Sequence, residues 1–162
     1  MNINIRTIRQ SDDPFIATII RNTLEEFGAN HPGTVYFDST TDHLSDFFST
    51  ARSAYFIAEN ESGILGGAGI YPTEGLPDGT CELVKMYLVP QARNQGLGGR
   101  LISKSIEFAR EAGFKQVYLE SMPELKKALS VYEKFGFKYI DKPLGNSGHF
   151  GCSLWMLLTL QP

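Results

Sequence analysis

Three glycines close together in the middle of the chain are the residues whose spacing indicates chemistry most clearly. Gly96, Gly98 and Gly99 lie in residues 89–100, between a strand-like stretch and a long amphipathic helical pattern. The N-terminus of a helix carries unpaired N–H groups and a partial positive charge, and glycines without Cβ allow an anion to approach that backbone. The segment therefore predicts a site for phosphate groups, and a pyrophosphate fits it.

Two common nucleotide-binding patterns match this segment poorly. A Walker A site requires Gly-Lys-Ser/Thr after the loop, and the chain has none there. A dinucleotide-binding site is a closer match, because Gly96 and Gly98 open a helix and Glu120 ends the next strand. However, its third glycine position is Leu101, and too few residues follow Glu120 for the further parallel strands of that fold.

The segment resembles the acyl-CoA site of the GCN5-related N-acetyltransferase (GNAT) family. The family signature Arg/Gln-x-x-Gly-x-Gly/Ala is matched from Arg93 to Gly98, directly after a family-like strand that ends at residues 86–90. A second family-like block follows at residues 128–137. The resemblance implies a three-layer α-β-α fold of the α/β class. Its central sheet would be mixed, mostly antiparallel and splayed where the cofactor enters.

The resemblance also implies which residues bind acetyl-CoA. Backbone groups of Leu88 and Val89 would pair with the pantetheine arm, which lies like an extra strand. The pyrophosphate would be held by the phosphate loop, which consists of Arg93, Asn94, Gln95, Gly96, Leu97, Gly98 and Gly99. Arg93 would orient the loop, contact phosphate or lie on the surface as a solvated side chain. Many relatives have an asparagine where this chain has Leu125, so one pantetheine contact is in doubt.

The resemblance implies an acid for the departing thiolate, which N-acetyl transfer requires. Tyr132 matches the family tyrosine that lies beside the CoA sulfur. The helical spacing of Tyr132 with Leu125, Leu129 and Phe135 also allows its ring to pack in the core.

A base for the amine proton is implied at Glu82, where relatives often have a glutamate that acts through water. Strand alternation predicts that its side chain shares a face with Val84 and Met86. The alternative is an edge or surface carboxylate paired with a lysine. Glu120 and His149 are reserve candidates for the base.

Three aromatic residues around a polar loop predict the acceptor side. We expect Phe27, Tyr36 and Phe37 to lie near the entry of the amine, although they would equally cover the core. Because this loop would narrow a groove, we expect a small-molecule amine as acceptor. A protein or peptide amine and an acyl-CoA sensor without transferase activity are the alternatives. Tyr132 and Glu82 favour an enzyme over a sensor.

Cysteine and histidine spacing predicts no metal site. Cys81 and Cys152 form no CxxC motif, and the three histidines form no HExxH motif. Two buried free thiols are the simpler interpretation, and direct transfer to the amine needs no thiolate nucleophile.

Hydrophobic periodicity predicts the element order β-α-α-β-β-β-α-β-α-β-β. Asp13 is predicted to cap the first helix, and Ser121 with Glu124 to form a capping box for the last. The predicted strands are 3–9, 55–58, 66–71, 82–89, 116–120, 137–140 and 150–160, and the predicted helices are 13–27, 42–52, 97–112 and 121–135.

Length and charge limit the class of protein. The chain has 162 residues, 42% of them apolar, which predicts one domain over residues 1–162. A net charge of -3 argues against a nucleic-acid partner. The longest apolar stretch, at residues 154–158, is too short to span a bilayer, so we expect a cytoplasmic protein without membrane contact. A homodimer is common in such families and is an open expectation.

Overall fold

Seven strands form one mixed sheet in the computed structural model, which describes residues 2–161. Four α-helices flank the sheet within these residues, and the predicted order of elements is confirmed. The strands are β1 (Asn4–Thr7), β2 (Ala54–Asn60), β3 (Gly63–Tyr71), β4 (Thr80–Leu88), β5 (Gln116–Ser121), β6 (Lys138–Ile140) and β7 (Leu154–Thr159), and the helices are α1 (Asp13–Glu26), α2 (Leu44–Phe47), α3 (Leu97–Glu111) and α4 (Lys126–Lys134).

The sheet opens between its two central strands. The strand order is β1-β2-β3-β4-β5-β7-β6, and every pair is antiparallel except β4 with β5. These two strands pair only from Thr80 to Glu82 on β4 and from Gln116 to Tyr118 on β5. Beyond Glu82 they diverge, so the edge of β4 that faces β5 has no strand partner there. The predicted mixed, mostly antiparallel and splayed sheet is confirmed.

A β-bulge interrupts β4 within the part of the strand that has parted from β5. Gly67 pairs with Tyr87 and Gly69 with Val84, so two residues of β4 stand opposite one of β3. Lys85 takes a positive φ of 54° at this bulge. The bulge shifts the alternation of side chains by one position. Val84 packs with the α1 side of the core and Met86 with the α3 side, so the prediction that both share a face with Glu82 was wrong for Met86.

Helices cover both faces of the sheet, which gives the three predicted layers. α1 buries Ile16, Ile20 and Leu24 on one face, while α3 buries Leu101 and Ile102 on the other. α4 joins the α3 layer. None of the helices within residues 2–161 is long and apolar enough to cross a membrane.

The prediction that Asp13 caps α1 was wrong. Its carboxylate accepts hydrogen bonds from the backbone N–H and the hydroxyl of Ser45, at 2.8 and 2.6 Å. Asp12 takes the N-cap position instead, and its carboxylate binds Arg6 and the N–H of Arg9. Asp13 therefore fixes α1 to α2 rather than ending its own helix.

The predicted capping box before α4 was also wrong. α4 begins at Lys126 with Leu125 at its N-cap, so Ser121 and Glu124 lie outside the first turn. Ser121 is the last residue of β5, and Glu124 lies 3.6 Å from His31. The chain needs these residues to cross from the sheet to the helix layer, which delays the start of α4.

Candidate active site

A cleft of about 380 Å³ lies where β4 and β5 diverge. Its walls come from the phosphate loop, from β4, from the ends of α1 and β5, and from α4. The predicted site residues that line this cleft are Glu82, Leu88, Arg93, Asn94, Gly96, Leu97, Gly98, Gly99, Tyr132 and Phe27. The cleft therefore joins the predicted phosphate loop to both predicted catalytic residues.

The phosphate loop ends in an uncapped helix N-terminus. Asn94 and Gly96 take positive φ values of 62° and 76°, which turn the chain into α3 at Leu97. No side chain of the described residues caps the first N–H groups of α3. A Cβ at Gly98 would meet only Leu88, at an ordinary 3.7 Å. Nothing within the protein requires glycine at this position, so its presence fits the close approach of a ligand.

Arg93 is held by α1 and β4. Its guanidinium donates to the Leu88 carbonyl at 2.9 and 3.1 Å and to the Glu26 carboxylate at 2.7 and 3.0 Å. It also lies 5.2 Å from the centre of the Phe27 ring. These contacts fix the turn that precedes the phosphate loop, and they lower the pKa of the Glu26 carboxyl through its hydrogen bond with Arg93.

Two residues of the predicted cofactor site lie off the cleft. Val89 donates its N–H to Leu65 at 2.8 Å, and its carbonyl accepts from Ala92 at 3.0 Å. Both backbone groups of Val89 thus bond within the fold, and its pairing with a pantetheine arm stays a prediction. The Gln95 side chain is also used locally, since it donates to the Gln91 carbonyl at 2.9 Å. Leu88 keeps its place at the cleft, with its carbonyl bound by Arg93.

Tyr132 is buried in the α4 layer and lines the cleft at the same time. Its ring meets Phe137 edge to face, with ring centres 5.9 Å apart. Burial raises the pKa of its hydroxyl, so the group is protonated across the neutral range. Tyr132 thus packs in the core and also brings a protonated side chain to the wall of the cleft.

Glu82 is a buried carboxyl, not an edge or surface one. The residue is 3% exposed, and the hydroxyl of Thr73 donates to its Oε1 at 2.6 Å. Burial, and then the nearby charge of Glu120, raise the pKa of Glu82 to about 7. A carboxyl with such a pKa can take up and release a proton at neutral pH, which suits a general base.

Charged side chains meet beyond Glu82, away from the phosphate loop. The Oδ2 atom of Asp38 accepts from Lys85 Nζ at 3.0 Å and lies 2.7 Å from His149 Nε2. The other ring nitrogen of His149 lies 3.5 Å from Glu120 Oε1. Burial alone would lower the pKa of His149, but hydrogen bonding to Asp38 and Glu120 raises it to about 9, so the imidazole is charged at neutral pH.

No pattern in the sequence indicated that Asp38 and Lys85 belong to this charged group. Asp38 stands in a loop, and strand alternation placed Lys85 on the face opposite Glu82. The bulge turns Lys85 into the cleft, where its side chain is 3% exposed. His149 comes from the β6–β7 connection, more than a hundred residues after Asp38, so only the fold brings the two together.

Glu120, His149 and Cys152 place potential metal-ligand atoms within 4.8 Å of one another. These groups also contact other side chains: Glu120 accepts from the Tyr118 hydroxyl, and His149 contacts Asp38. Burial raises the pKa of the Cys152 thiol to about 12. Burial does the same for Cys81, also to about 12. The prediction of two buried free thiols is confirmed.

Of the three aromatic residues predicted on the acceptor side, one lines the cleft and two do not. Phe27 lines the cleft, but on its Arg93 side. Tyr36 and Phe37 do not line it, and their place near the amine entry stays a prediction. The Tyr36 hydroxyl donates to Glu25 on α1 at 2.6 Å, and its ring packs edge to face on Phe37 at 5.1 Å. Phe37 itself is 60% exposed.

Comparison with known proteins agrees with this geometry. Residues 17–137 match the model of the acetyltransferase (GNAT) family. The chain belongs to this family. It is 40% identical to YjgM of Escherichia coli, an uncharacterised N-acetyltransferase, over 96% of this chain and 94% of that one. It is 30% identical to YhfO of Bacillus subtilis, also an uncharacterised N-acetyltransferase, over 84% of this chain and 90% of that one.

Solved structures show the same fold at low identity. A GNAT acetyltransferase from Staphylococcus aureus Mu50 superposes with a TM-score of 0.87 at 20% identity, over 99% of this chain and all of that one. PaiA N-acetyltransferase from Thermoplasma acidophilum, solved with coenzyme A, gives 0.76 at 18% identity over 99% and 100%. YncA from Salmonella typhimurium, solved with acetyl-CoA, gives 0.74 at 21% identity over 100% and 96%. The GNAT chain described here is an N-acyltransferase, and the dinucleotide-binding alternative was wrong.

Proposed function

We propose that this GNAT protein transfers the acetyl group of acetyl-CoA to a primary amine of a small molecule. The observation that carries the proposal is the single cleft that joins the phosphate loop to Glu82 and Tyr132. The coenzyme A in PaiA and the acetyl-CoA in YncA support the choice of donor.

The chain offers a matching surface for each part of the donor. The uncapped N–H groups at the start of α3 suit a pyrophosphate. The unpaired edge of β4 after Glu82 suits an extended arm with amide groups, which would add to the sheet as a strand does. Leu88 stands on this edge, between the phosphate loop and the catalytic residues.

The two catalytic residues divide the proton transfers between them. Acetyl-CoA supplies an activated thioester carbonyl for the amine. Glu82 takes the proton from the amine nitrogen, which its pKa of about 7 permits at neutral pH. Tyr132 holds its proton because of burial, and it gives that proton to the departing sulfur. Both cysteine thiols are protonated at neutral pH, which favours direct attack by the amine over an acyl-enzyme.

The acceptor end of the cleft favours a small molecule over a peptide. The contact between Asp38 and His149 joins two connections of the chain, one between α1 and α2 and the other between β6 and β7. The N–H of Gly151 also donates to the carbonyl of Gly33 at 2.8 Å, and this bond joins the same two connections. Two such bridges close off a long open groove, which a peptide would need.

Ligand binding provides the first test. At a hundred times its dissociation constant, acetyl-CoA should add about 2.7 kcal/mol to the apparent free energy of unfolding. A thermal-shift series with acetyl-CoA, NAD and ATP measures this, and we expect a clear shift with acetyl-CoA alone. A larger shift with NAD would contradict the proposed donor.

Gly98→Asp tests the phosphate loop. The new side chain would bring negative charge to the place proposed for the pyrophosphate, so we expect acetyl-CoA affinity to fall at least tenfold, about 1.4 kcal/mol. The fold should survive, because a Cβ at this position meets only Leu88 at 3.7 Å. Calorimetry measures the affinity, with Gly98→Ala as the uncharged control that separates charge from bulk. Equal affinities for Gly98→Asp and the wild type would contradict the assignment.

Product analysis tests the reaction itself. The protein is incubated with acetyl-CoA and a mixture of primary amines, and mass spectrometry looks for acetylated products. We expect at least one small amine to be acetylated. Binding of acetyl-CoA without any product would indicate a sensor, and a product found only on added peptides would indicate a protein acceptor.

A further inference from the structure

The acceptor end of the cleft contains charges of both signs on separate side chains. Glu82 and Glu120 bring carboxyl groups to its wall, and Lys85 and His149 bring cationic groups. All four residues are wholly or partly buried, so solvent screens their charges little. A bare alkylamine would use only the carboxyl side of this arrangement.

The cationic side has more donors than the protein uses. An ammonium group has three N–H donors, and within residues 2–161 that of Lys85 hydrogen-bonds to Asp38 alone. Asp38 accepts from Lys85 and contacts His149 through the same oxygen atom, Oδ2. Two buried cations therefore share one carboxylate oxygen. A second anion at this place would be hydrogen-bonded and charge-paired.

The other carboxylate near His149 is already occupied. Glu120 accepts from the Tyr118 hydroxyl at 2.6 Å and, at its other oxygen, from the Ser147 hydroxyl. Its Oε1 atom lies 3.5 Å from His149 Nδ1, a longer contact than the 2.7 Å between His149 Nε2 and Asp38. Glu120 thus adds negative charge beside Glu82, but it does not accept a hydrogen bond from Lys85.

We propose that the acceptor is an amino carboxylate, a small molecule whose primary amine lies toward Glu82 while its carboxylate binds the free N–H donors of Lys85, beside the positive charge of His149. This rests on the proposed function and names its substrate class. A carboxylate matches the site better than a neutral polar group, because it complements cationic donors in a place that excludes water. Lys85 and His149 then set the specificity of the enzyme, and Asp38 positions both of them.

The reaction leaves the carboxylate of the acceptor unchanged. The amine nitrogen forms a bond to the acetyl carbon, and the carbon–sulfur bond of the thioester breaks. The amine proton passes to Glu82, and the sulfur takes a proton from Tyr132. The products are an N-acetylated amino carboxylate and free CoA.

The experiment compares amino acids with their decarboxylated amines, for example phenylalanine with phenethylamine and leucine with isopentylamine. Steady-state acetylation by the full chain gives kcat/KM for each compound of every pair. We expect the amino acid to exceed its amine at least tenfold in the preferred pair. If every amine equals or exceeds its amino acid, the inference is overturned and the proposed function stands. If neither class is acetylated although acetyl-CoA binds, both are overturned.

Variants tie the preference to the residues that carry it. In Lys85→Met the ratio of the two kcat/KM values should fall at least tenfold. His149→Gln should lower the same ratio, and it provides the test if Lys85→Met folds poorly. Lys142→Met is the matched control, because it removes the same charge from an exposed residue off the cleft and should leave the ratio unchanged. A ratio that persists in both Lys85→Met and His149→Gln would overturn the assignment of the carboxylate site.

Discussion

The Tyr132→Phe variant is expected to lose about a hundredfold in kcat with little change in its free energy of unfolding. The substitution keeps the ring, and therefore its edge-to-face contact with Phe137. It removes only the hydroxyl, which is protonated at the cleft because burial raises its pKa. Steady-state kinetics on an accepted amine and urea denaturation measure the two quantities.

Tyr87 provides the matched control for this variant. It is a second buried tyrosine on the wall of the same cleft, and its hydroxyl is also kept protonated by a pKa that burial raises. Tyr87→Phe should therefore leave kcat within a few-fold of the wild type. If Tyr87→Phe proves the slow variant and Tyr132→Phe keeps its kcat, the acid has been assigned to the wrong residue. A loss of stability in Tyr132→Phe with unchanged kcat would leave the tyrosine as a core residue alone.

The second large effect is expected from Glu82→Gln. The wild-type kcat/KM should rise with pH around pH 7, because the carboxyl must lose its proton before it can act as a base, and its pKa is about 7. The amide has no such proton to lose, so this rise should disappear. The activity should fall by about a hundredfold at pH 8, where the wild-type group is ionised, and less at pH 6. A pH series of kcat/KM for both proteins measures this, and a constant ratio across pH would contradict a base at Glu82.

Two further measurements separate catalysis from folding at this position. The Thr73 hydroxyl donates to Glu82 and favours its ionised form, so Thr73→Val should move the rise in kcat/KM to higher pH. The folded-state pKa of Glu82 lies above its ordinary value of 4.5, so ionisation of this buried group costs stability as pH rises toward and through 7. Glu82→Gln should therefore raise Tm relative to the wild type at pH 8 but hardly at pH 5.

Local spacing was enough to predict the order of elements and an anion site at the glycines, whereas the three-layer fold came from the family resemblance. The apolar positions of α1 and α3 recur at helical intervals, and the order of elements follows from such patterns. Gly96 and Gly98 stand where a helix begins, which sequence alone can indicate. Glu82 and Tyr132 came from the resemblance, and the structure places both on one cleft.

The acceptor end could not be predicted because it depends on contacts between distant parts of the chain. Asp38 and His149 lie in two separate connections, and neither has a local pattern that indicates the other. No glycine stands in β4 to indicate a bulge at Lys85. The bulge nevertheless decides on which face of the sheet Lys85 and Met86 lie. Tyr36 and Phe37 were expected near the amine entry because apolar rings in a polar loop need cover, but Phe37 is 60% exposed and neither ring lines the cleft.

The two cysteines have a practical consequence for kinetics. Released CoA is a free thiol, and colorimetric reagents such as aromatic disulfides report it by reacting with thiolates. Cys81 is inaccessible to solvent, whereas Cys152 is 9% exposed and lines the cleft. Both thiols have a pKa of about 12, so the folded protein should react only slowly with such reagents. Colour would then measure turnover directly, and slow extra colour from the protein alone would report unfolding. Because both native thiols react slowly, a single cysteine engineered on the surface would be the preferred point for attaching a fluorophore.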